Sequence, residues 1–434
     1  MDTGLQNRIN ESISRAYKGN LNTDALMRLV NDCLDHSPDK KIIHQFLDLA
    51  HIQSVAKIIT EAKVTEEWLE RIVRLIHLSQ YHTGTMIEQR AKRYGDKTVF
   101  NMIRGDDLHT LSYSDLWLKI QMTGKALSVL DRTEKPSVIG LLTYNQLNGV
   151  LVDLACLSFG IRVIPIPLNS TSEHLSFILK QSEVTHIFVG GKTAIRLWNE
   201  VHHNYDILVI ALNDTSLIQG KVMDWEIFFE NRDRSQNFDV DQRMSYVPMD
   251  RTQTIMYTSG STANPKGITF NQSNIISKRF ARALALPDFG SEDIFLCYLP
   301  LFHTFGRYFE LMGSIFWGAT YSFAESPAFN SLLKDFPIVN PSIFISIPKR
   351  WVQLYEMLEK QLDMDSEDNE TIEAKLKSIT GGKLKWGLSA AGYLDPDIFK
   401  FYQSHGVNVL SGYGMTEATG GITMTPPTEY IIDS

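Results

Sequence analysis

From residue 137 onward, short runs rich in β-branched and aromatic residues alternate with longer stretches of helical periodicity, and this alternation constrains the fold more than any other feature. Residues 137–144, 162–168, 186–190 and 206–212 read as strands, with helices at 145–160 and 172–182 between the first three. Strands separated by helices return in the same direction, so the alternation predicts a parallel sheet of the α/β class. A polar stretch, 230–250, reads as a linker, after which the pattern resumes with strands at 254–256, 294–299 and 319–323 and helices at 273–285 and 305–317. A hairpin at 98–103 and 108–113 leads in, and Tyr113 opens a helix. The chain of 434 residues admits two or three domains. We expect two similar parallel-sheet subdomains, 81–250 and 251–434, with ligands outside the carboxyl ends of their strands.

Residues 1–80 differ in period. Leu26, Leu29, Val30, Cys33 and Leu34, then Ile42, Ile43, Phe46, Leu47 and Ala50, recur at helical spacing. Two further segments follow, around Ile58, Ile59 and Ala62 and around Trp68, Leu69, Ile72, Val73 and Ile76. No shared repeat string links them, so an all-helical extension forming a small bundle against the next domain is expected. It carries no chemistry, and its functional reading is a docking surface for a protein partner or regulator. The acidic segment 364–373 reads as a solvated loop.

A net charge of −8 leaves no basic footprint for nucleic acid. The three cysteines, Cys33, Cys156 and Cys297, are widely spaced and form no metal or redox motif, which suits a reducing, cytoplasmic setting. No secretory leader is recognisable, and the apolar region 138–168 is broken by Asn145, Gln146, Asn148, Asp153 and Arg162, too polar for a membrane span. Peripheral contact with a bilayer stays open.

Residues 257–267 read Y-T-S-G-S-T-A-N-P-K-G. Small residues let backbone N–H groups approach a polyphosphate, the hydroxyls add donors, and Lys266 supplies a point charge, so a nucleoside triphosphate is the expected ligand. The common phosphate loop needs Gly-Lys-Ser/Thr in succession, whereas Pro265 precedes this lysine and Gly267 follows it. A Ser/Gly/Thr loop by composition alone is more often a flexible turn; the ordered string is the argument for phosphate.

That string resembles the phosphate-binding loop of the adenylate-forming superfamily. Residues 298–307, Y-L-P-L-F-H-T-F-G-R, resemble its substrate-pocket segment, and 411–417, S-G-Y-G-M-T-E, its adenine and magnesium segment. The strings A-E-S-P at 324–327, N-P-S at 340–342, I-P-K-R-W at 347–351 and S-A-A-G at 389–392 are similar to the long-chain fatty acyl-CoA synthetase branch. The resemblance covers roughly residues 85–434 and implies the N-terminal domain of an adenylate-forming enzyme. It implies attack of a fatty acid carboxylate on the α-phosphate of ATP, loss of pyrophosphate, and transfer of the acyl group from acyl-AMP to the thiol of CoA. Charge on the phosphates is then met by electrostatic positioning and Mg²⁺.

By this resemblance Thr258, Ser259, Gly260, Ser261, Thr262 and Lys266 hold the β- and γ-phosphates and Gly267 keeps the turn compact. Ala263 departs from the family, which has glycine there, and stiffens the loop. Glu417 binds Mg²⁺, with Thr258 sharing the metal and Thr416 meeting the α-phosphate. Tyr413, flanked by Gly414 and Met415, stacks on adenine, and Ala390, Ala391 and Gly392 give room and backbone edges to the purine. His303 lies near the reacting carboxylate, orienting or polarising it, so that His303, Lys266, Thr416 and Glu417 form the catalytic set. The helix after His303 walls the acyl pocket. Trp351 lines a lipid tunnel or, more commonly for a tryptophan at a helix start, packs in the core. The family's third subdomain and small C-terminal domain find no counterpart, so the chain is expected to be an incomplete N-terminal part, weakly active or inactive by itself. A carrier protein or reductase as acyl acceptor, and a non-catalytic nucleotide-sensing scaffold, remain as alternatives.

Overall fold

The computed structural model describes residues 3–17, 21–130, 136–213, 215–235, 238–258, 264–362 and 368–426. Helices α1 (Thr3–Tyr17), α2 (Thr23–His36), α3 (Lys40–Ala50), α4 (Gln53–Glu61), α5 (Thr65–Ser79) and α6 (Thr83–Tyr94) come first, followed by the hairpin β1 (Thr98–Arg104) and β2 (Asp107–Ser112). Next come α7 (Tyr113–Leu130), β3 (Val138–Thr143), α8 (Leu147–Ser158), β4 (Arg162–Pro165), α9 (Ser172–Gln181), β5 (His186–Gly190) and α10 (Lys192–Val201). The chain continues through β6 (Leu208–Ala211), β7 (Lys221–Asp224), α11 (Trp225–Glu230), α12 (Val240–Ser245), β8 (Thr254–Thr258), β9 (Lys266–Phe270) and α13 (Gln272–Ala285). Then follow β10 (Ile294–Cys297), α14 (Met312–Trp317), β11 (Thr320–Phe323), α15 (Phe329–Val339), β12 (Ile343–Ser346) and α16 (Pro348–Glu359). The last described elements are α17 (Asn369–Thr380), β13 (Trp386–Ala390), α18 (Pro396–Ser404), β14 (Asn408–Met415) and β15 (Gly420–Met424).

Two compact units result. The first comprises Met1–Asp96, Tyr113–Leu284 and Pro300–His303, the second Lys97–Ser112, Ala285–Leu299 and Thr304–Ser434. This division departs from the expected boundary at residue 250. Strand β8 pairs parallel with β4, and β9 pairs antiparallel with β8, so the stretch after 250 completes the first sheet, in the order β7-β6-β5-β3-β4-β8-β9. The β1–β2 hairpin joins the second sheet instead, ordered β15-β14-β13-β12-β10-β11-β1-β2, because β1 pairs parallel with β11. Both sheets are parallel inside and antiparallel at edge pairs, two antiparallel pairs in the second and one in the first.

In the first unit the apolar faces read from the sequence are buried: Ile42, Ile43, Phe46, Leu47 and Ala50 along α3, and Trp68 and Ile72 along α5. The helical extension belongs to this unit rather than forming a separate module. Its helix α5 ends with His77 Nε2 against Ser273 Oγ at 2.7 Å, and Asp48 on α3 accepts from Arg90 (2.5 Å) and Arg93 (2.8 and 3.0 Å) on α6. The expected linker at 230–250 is also internal to the unit. It contains α12, packs Phe238 against Phe159 at 5.1 Å between ring centroids, and offers the Met244 carbonyl to His82 Nε2 at 3.0 Å. Its polar composition reflects an exposed face, not a lack of packing. Strands β7 and β9 and helix α10 were not foreseen, the strands being only four and five residues long and polar on one side.

His82 caps α6 by accepting the Gly84 N–H on Nδ1 at 3.1 Å while Nε2 donates to Met244, which fixes a neutral ring. Burial, with a lesser push from His44, lowers its pKa from 6.5 to about 3. The unfolded chain therefore takes up a proton below pH 6.5 that the folded chain refuses, and stability declines as pH falls from 6.5 toward 3. The expected loss is about 1.4 kcal/mol per pH unit for this group. Urea unfolding at neutral and mildly acidic pH measures it. A His82→Asn variant, which keeps an acceptor for Gly84 but cannot titrate, should lose less stability on acidification; an equal loss would place the effect elsewhere.

In the second unit β10, β11, β12 and β13 are almost wholly buried and form the central strands. Residues 364–367 of the expected acidic loop lie outside the described residues; Asp368 caps α17 by accepting the Thr371 N–H at 2.7 Å, and 369–373 are the start of that helix rather than loop. The helix expected at 305–317 opens as a π-helix, Phe305–Leu311, before α14. Trp351 is fully buried, its ring 5.4 Å from Phe344 and 5.0 Å from Tyr402 and its Nε1 donating to the Leu388 carbonyl at 3.3 Å. It is a core residue and does not line a tunnel.

Candidate active site

The phosphate-loop string closes a β-hairpin, not a strand-to-helix turn. Tyr257 stands opposite Gly267 and Thr258 opposite Lys266 in the β8–β9 ladder. Side chains alternate across a strand, so Tyr257 enters the core while the Thr258–Lys266 pair faces the other way. Thr258 is half-buried and Lys266 exposed, leaving its ammonium available to an anion. Ser259, Gly260, Ser261 and Thr262, with Ala263, lie outside the described residues.

His303 belongs to the same unit. It follows β10 in the chain. Its own N–H donates to the Pro300 carbonyl at 3.0 Å, and the Leu301 N–H donates to Asn145 Oδ1 at 3.1 Å just past the end of β3. Desolvation lowers the His303 pKa below the ordinary histidine value although the residue reaches the surface, so near neutral pH the ring is uncharged and can orient or hydrogen-bond a carboxylate. Asn145 was not singled out for this role; the trace it left in the sequence is a polar residue breaking an apolar run.

The second unit assembles the other candidates at the carboxyl ends of two adjacent strands. Ala390, last in β13, pairs with Gly412 of β14. Ala391 then adopts φ 66°, a left-handed conformation unfavourable for a side-chain-bearing residue, and Gly392 follows with Pro348 the nearest group to the position a Cβ would take, at 3.3 Å. Strain of this kind is held by surrounding structure and gathers at ligand sites. Tyr413 is 62% exposed, as an aromatic awaiting a flat partner would be, and Met415 is 44% exposed. Gly414 is forced by backbone proximity: an added Cβ would lie 2.5 Å from the Gly420 carbonyl oxygen. Thr416 and Glu417 occupy a short 3-10 turn, Thr416–Ala418, and Glu417 is exposed and makes no ion pair among the described residues.

No group of three or more His, Cys, Asp and Glu side chains able to hold a metal occurs among the described residues. One exposed carboxylate, next in the chain to Thr416, is a donor of the kind Mg²⁺ uses when water and substrate phosphates complete its octahedron, so Glu417 fits that ion. Two buried ionisable residues were given no role in the sequence reading: Arg307, which closes the 298–307 string, and Glu310, both on the π-helix that follows His303. Burial raises the Glu310 pKa well above the carboxylate range against the opposing pull of the Leu299 N–H, so this acid is neutral. Their signal was the charge within an apolar helix. No helix among the described residues is long and apolar enough to cross a membrane.

The signature of the AMP-binding enzyme family matches residues 87–432. The chain is 25% identical over 342 residues to a peroxisomal long chain acyl-CoA synthetase of Arabidopsis thaliana, covering 71% of this chain and 48% of that protein. It is 25% identical over 359 residues to fatty acyl-CoA synthetase A of Dictyostelium discoideum, covering 74% and 52%. It is also 21% identical to a carboxylic acid reductase of Mycobacterium tuberculosis, covering 81% and 32%. The chain thus spans about half the length or less of these relatives. Among solved structures it resembles a long-chain-fatty-acid-CoA ligase from Archaeoglobus fulgidus with a TM-score of 0.64 at 18% identity, covering 80% of this chain and 66% of that one. The adenylation domain of a carboxylate reductase from Mycobacterium chelonae gives a TM-score of 0.63 at 18% identity, covering 79% and 59%. These structural likenesses bear on the fold, which is that of adenylate-forming N-terminal domains.

Proposed function

Because the chain belongs to the AMP-binding enzyme family, we propose that it is the part of a fatty acid ligase that activates the carboxylate with ATP. A carboxylate oxygen attacks the α-phosphorus, the bond from that phosphorus to the bridging oxygen breaks, and pyrophosphate leaves. A thiol then attacks the acyl carbon, with AMP as leaving group and CoA as the acceptor. The observation that carries this reading is the hairpin placing Thr258 opposite Lys266 beside the phosphate-loop string. Lys266, Thr258 and the loop between them meet the β- and γ-phosphates; Tyr413 and Ala390–Gly392 receive the adenine; Thr416 meets the α-phosphate; neutral His303 orients the carboxylate. Glu417, with Thr258, would hold Mg²⁺, whose chemistry is to neutralise the phosphate charge. Long-chain acyl specificity is supported by the synthetase relatives at about 25% identity. The likeness to a carboxylic acid reductase supports a second acceptor, a carrier-protein thiol. The protein acts in the cytoplasm, where ATP and CoA are available.

Calorimetry tests the proposal with two ligands, ATP and a non-hydrolysable acyl-AMP analogue of increasing chain length. Saturable binding of both, tighter for longer acyl groups, is expected. Lys266→Ala should weaken ATP by about ten- to a hundredfold, the worth of one charged hydrogen bond, and leave the analogue, which has no β- or γ-phosphate, unaffected. Folded protein that binds neither ligand would refute the proposal.

A further inference from the structure

Tyr257 precedes the phosphate-loop residues but belongs to none of the roles above. It is 2% exposed, although its strand neighbours Thr258 and Lys266 face outward. Its ring crosses from the hairpin to the end of α9, where its hydroxyl donates to Gln181 Oε1 at 2.8 Å and lies 2.7 Å from Ser182 Oγ. A tyrosine hydroxyl has one proton, so with that proton on Gln181 the serine hydroxyl donates in return, and the hydroxyl is satisfied on both sides. Desolvation raises the pKa of Tyr257, with Ser182 opposing, so the proton stays in place across the neutral range. The ring also packs with the apolar core of the first sheet, including Leu175, Ile178 and Val184.

The other half of the arrangement is Gly267. Its φ is not in the left-handed region, so backbone freedom does not explain a glycine there. Space does. A Cβ at this position would come within 3.1 and 3.2 Å of Tyr257 Cε1 and Cζ and 3.0 Å of Ile255 Cγ2, closer than side chains ordinarily pack. The ring has little freedom to retreat, because its far end is held by two hydrogen bonds.

We infer that Tyr257 and Gly267 act together as a clamp that fixes the hairpin on α9 and so positions Thr258 and Lys266 for the triphosphate. Tyr257 is a positioning residue, one ladder step from the pair that would touch ligand, and the inference rests on the proposed function. The same contacts that seat the ring set the register of the strands, and a one-residue slip would turn Lys266 to the opposite face. The clamp also assigns Gly267 a role different from compactness of a turn: it makes room for the ring.

The test measures ATP and the acyl-AMP analogue on wild type, Tyr257→Phe, Gly267→Ala and the double variant. Tyr257→Phe removes only the hydroxyl. It should weaken ATP roughly three- to tenfold, in the range of one or two neutral hydrogen bonds, and leave the analogue nearly unchanged. A merely structural role would lower the melting temperature and weaken both ligands alike. Gly267→Ala, which adds a methyl where the other removes an oxygen, should give the same selective loss, and the double variant should be no weaker than the worse single because both act through one seat. Unaltered ATP affinity in Tyr257→Phe, equal losses for both ligands, or multiplicative losses in the double variant would each overturn the clamp. Wild-type protein that binds neither ligand overturns the functional reading instead, so the two failures are distinguishable.

Discussion

Replacing Asp48 with alanine is expected to lower the melting temperature by roughly 10 °C. Asp48 accepts from Arg90 at 2.5 Å and from two nitrogens of Arg93, and the Arg90 side chain is wholly buried. Burial alone would raise the Asp48 pKa, but Arg90, His51 and Arg93 outweigh it and hold the carboxyl below its ordinary value. A carboxylate with a depressed pKa contributes stability that is present above the unfolded value and lost as pH falls through the folded one. Its removal takes away the carboxylate that faces the buried Arg90 guanidinium, a break in a buried ion pair that costs about 3–5 kcal/mol. At ~2–4 °C per kcal/mol for a unit of this size, the expected shift follows. Arg93 is 26% exposed and can turn to solvent, so the effect belongs mainly to Arg90. Scanning calorimetry measures it; a variant melting within about 2 °C of wild type would mean that the extension is not secured through this charge. The result also bears on residues 1–80, because Asp48 lies on α3 and its partners lie on α6.

Gly414→Ala carries the other large expected effect, at the candidate site itself. Strands β14 and β15 approach so closely there that the new methyl would meet the Gly420 carbonyl oxygen at 2.5 Å and the Gly421 Cα at 2.7 Å, both backbone atoms that cannot rotate away. The register already shifts between Tyr413 and Gly414, so the ladder has absorbed one irregularity. Separating the strands should cost about 1–3 kcal/mol, the usual penalty of overpacking. It would also displace the short turn bearing Thr416 and Glu417, which joins these two strands. The acyl-AMP analogue should therefore bind roughly five- to a hundredfold more weakly while the chain still folds, at about 1.4 kcal/mol per factor of ten. Unchanged analogue affinity in a folded variant would remove Tyr413–Glu417 from the nucleotide site.

Several features were legible because they depend on local chemistry. The alternation through β3, α8, β4, α9 and β5 was read nearly at its true limits, since buried parallel strands are continuous apolar runs and the helices between them carry a different period. The buried face of α3 was visible for the same reason. The boundary at 250 was not, because strand length and polarity say nothing of which sheet a strand joins. Strand β8 joins β4 through a single registered pair, Val163 with Thr254, and that choice moves the phosphate hairpin into the first unit.

The candidate site divides along the same line. The sequence by itself determined the residue types, the motif order and hence the family, because a hydroxyl-rich loop ending in lysine and a Thr-Glu pair after Tyr-Gly carry their chemistry wherever they fold. Only the tertiary structure decided that Lys266 lies in a strand opposite Thr258, that Trp351 is core, that Gly267 makes way for Tyr257 and Gly414 for a neighbouring strand, and that Arg307 and Glu310 are buried. Each of these depends on atoms far apart in the chain coming within a few ångströms, a distance that no local pattern encodes and that packing of the whole unit sets.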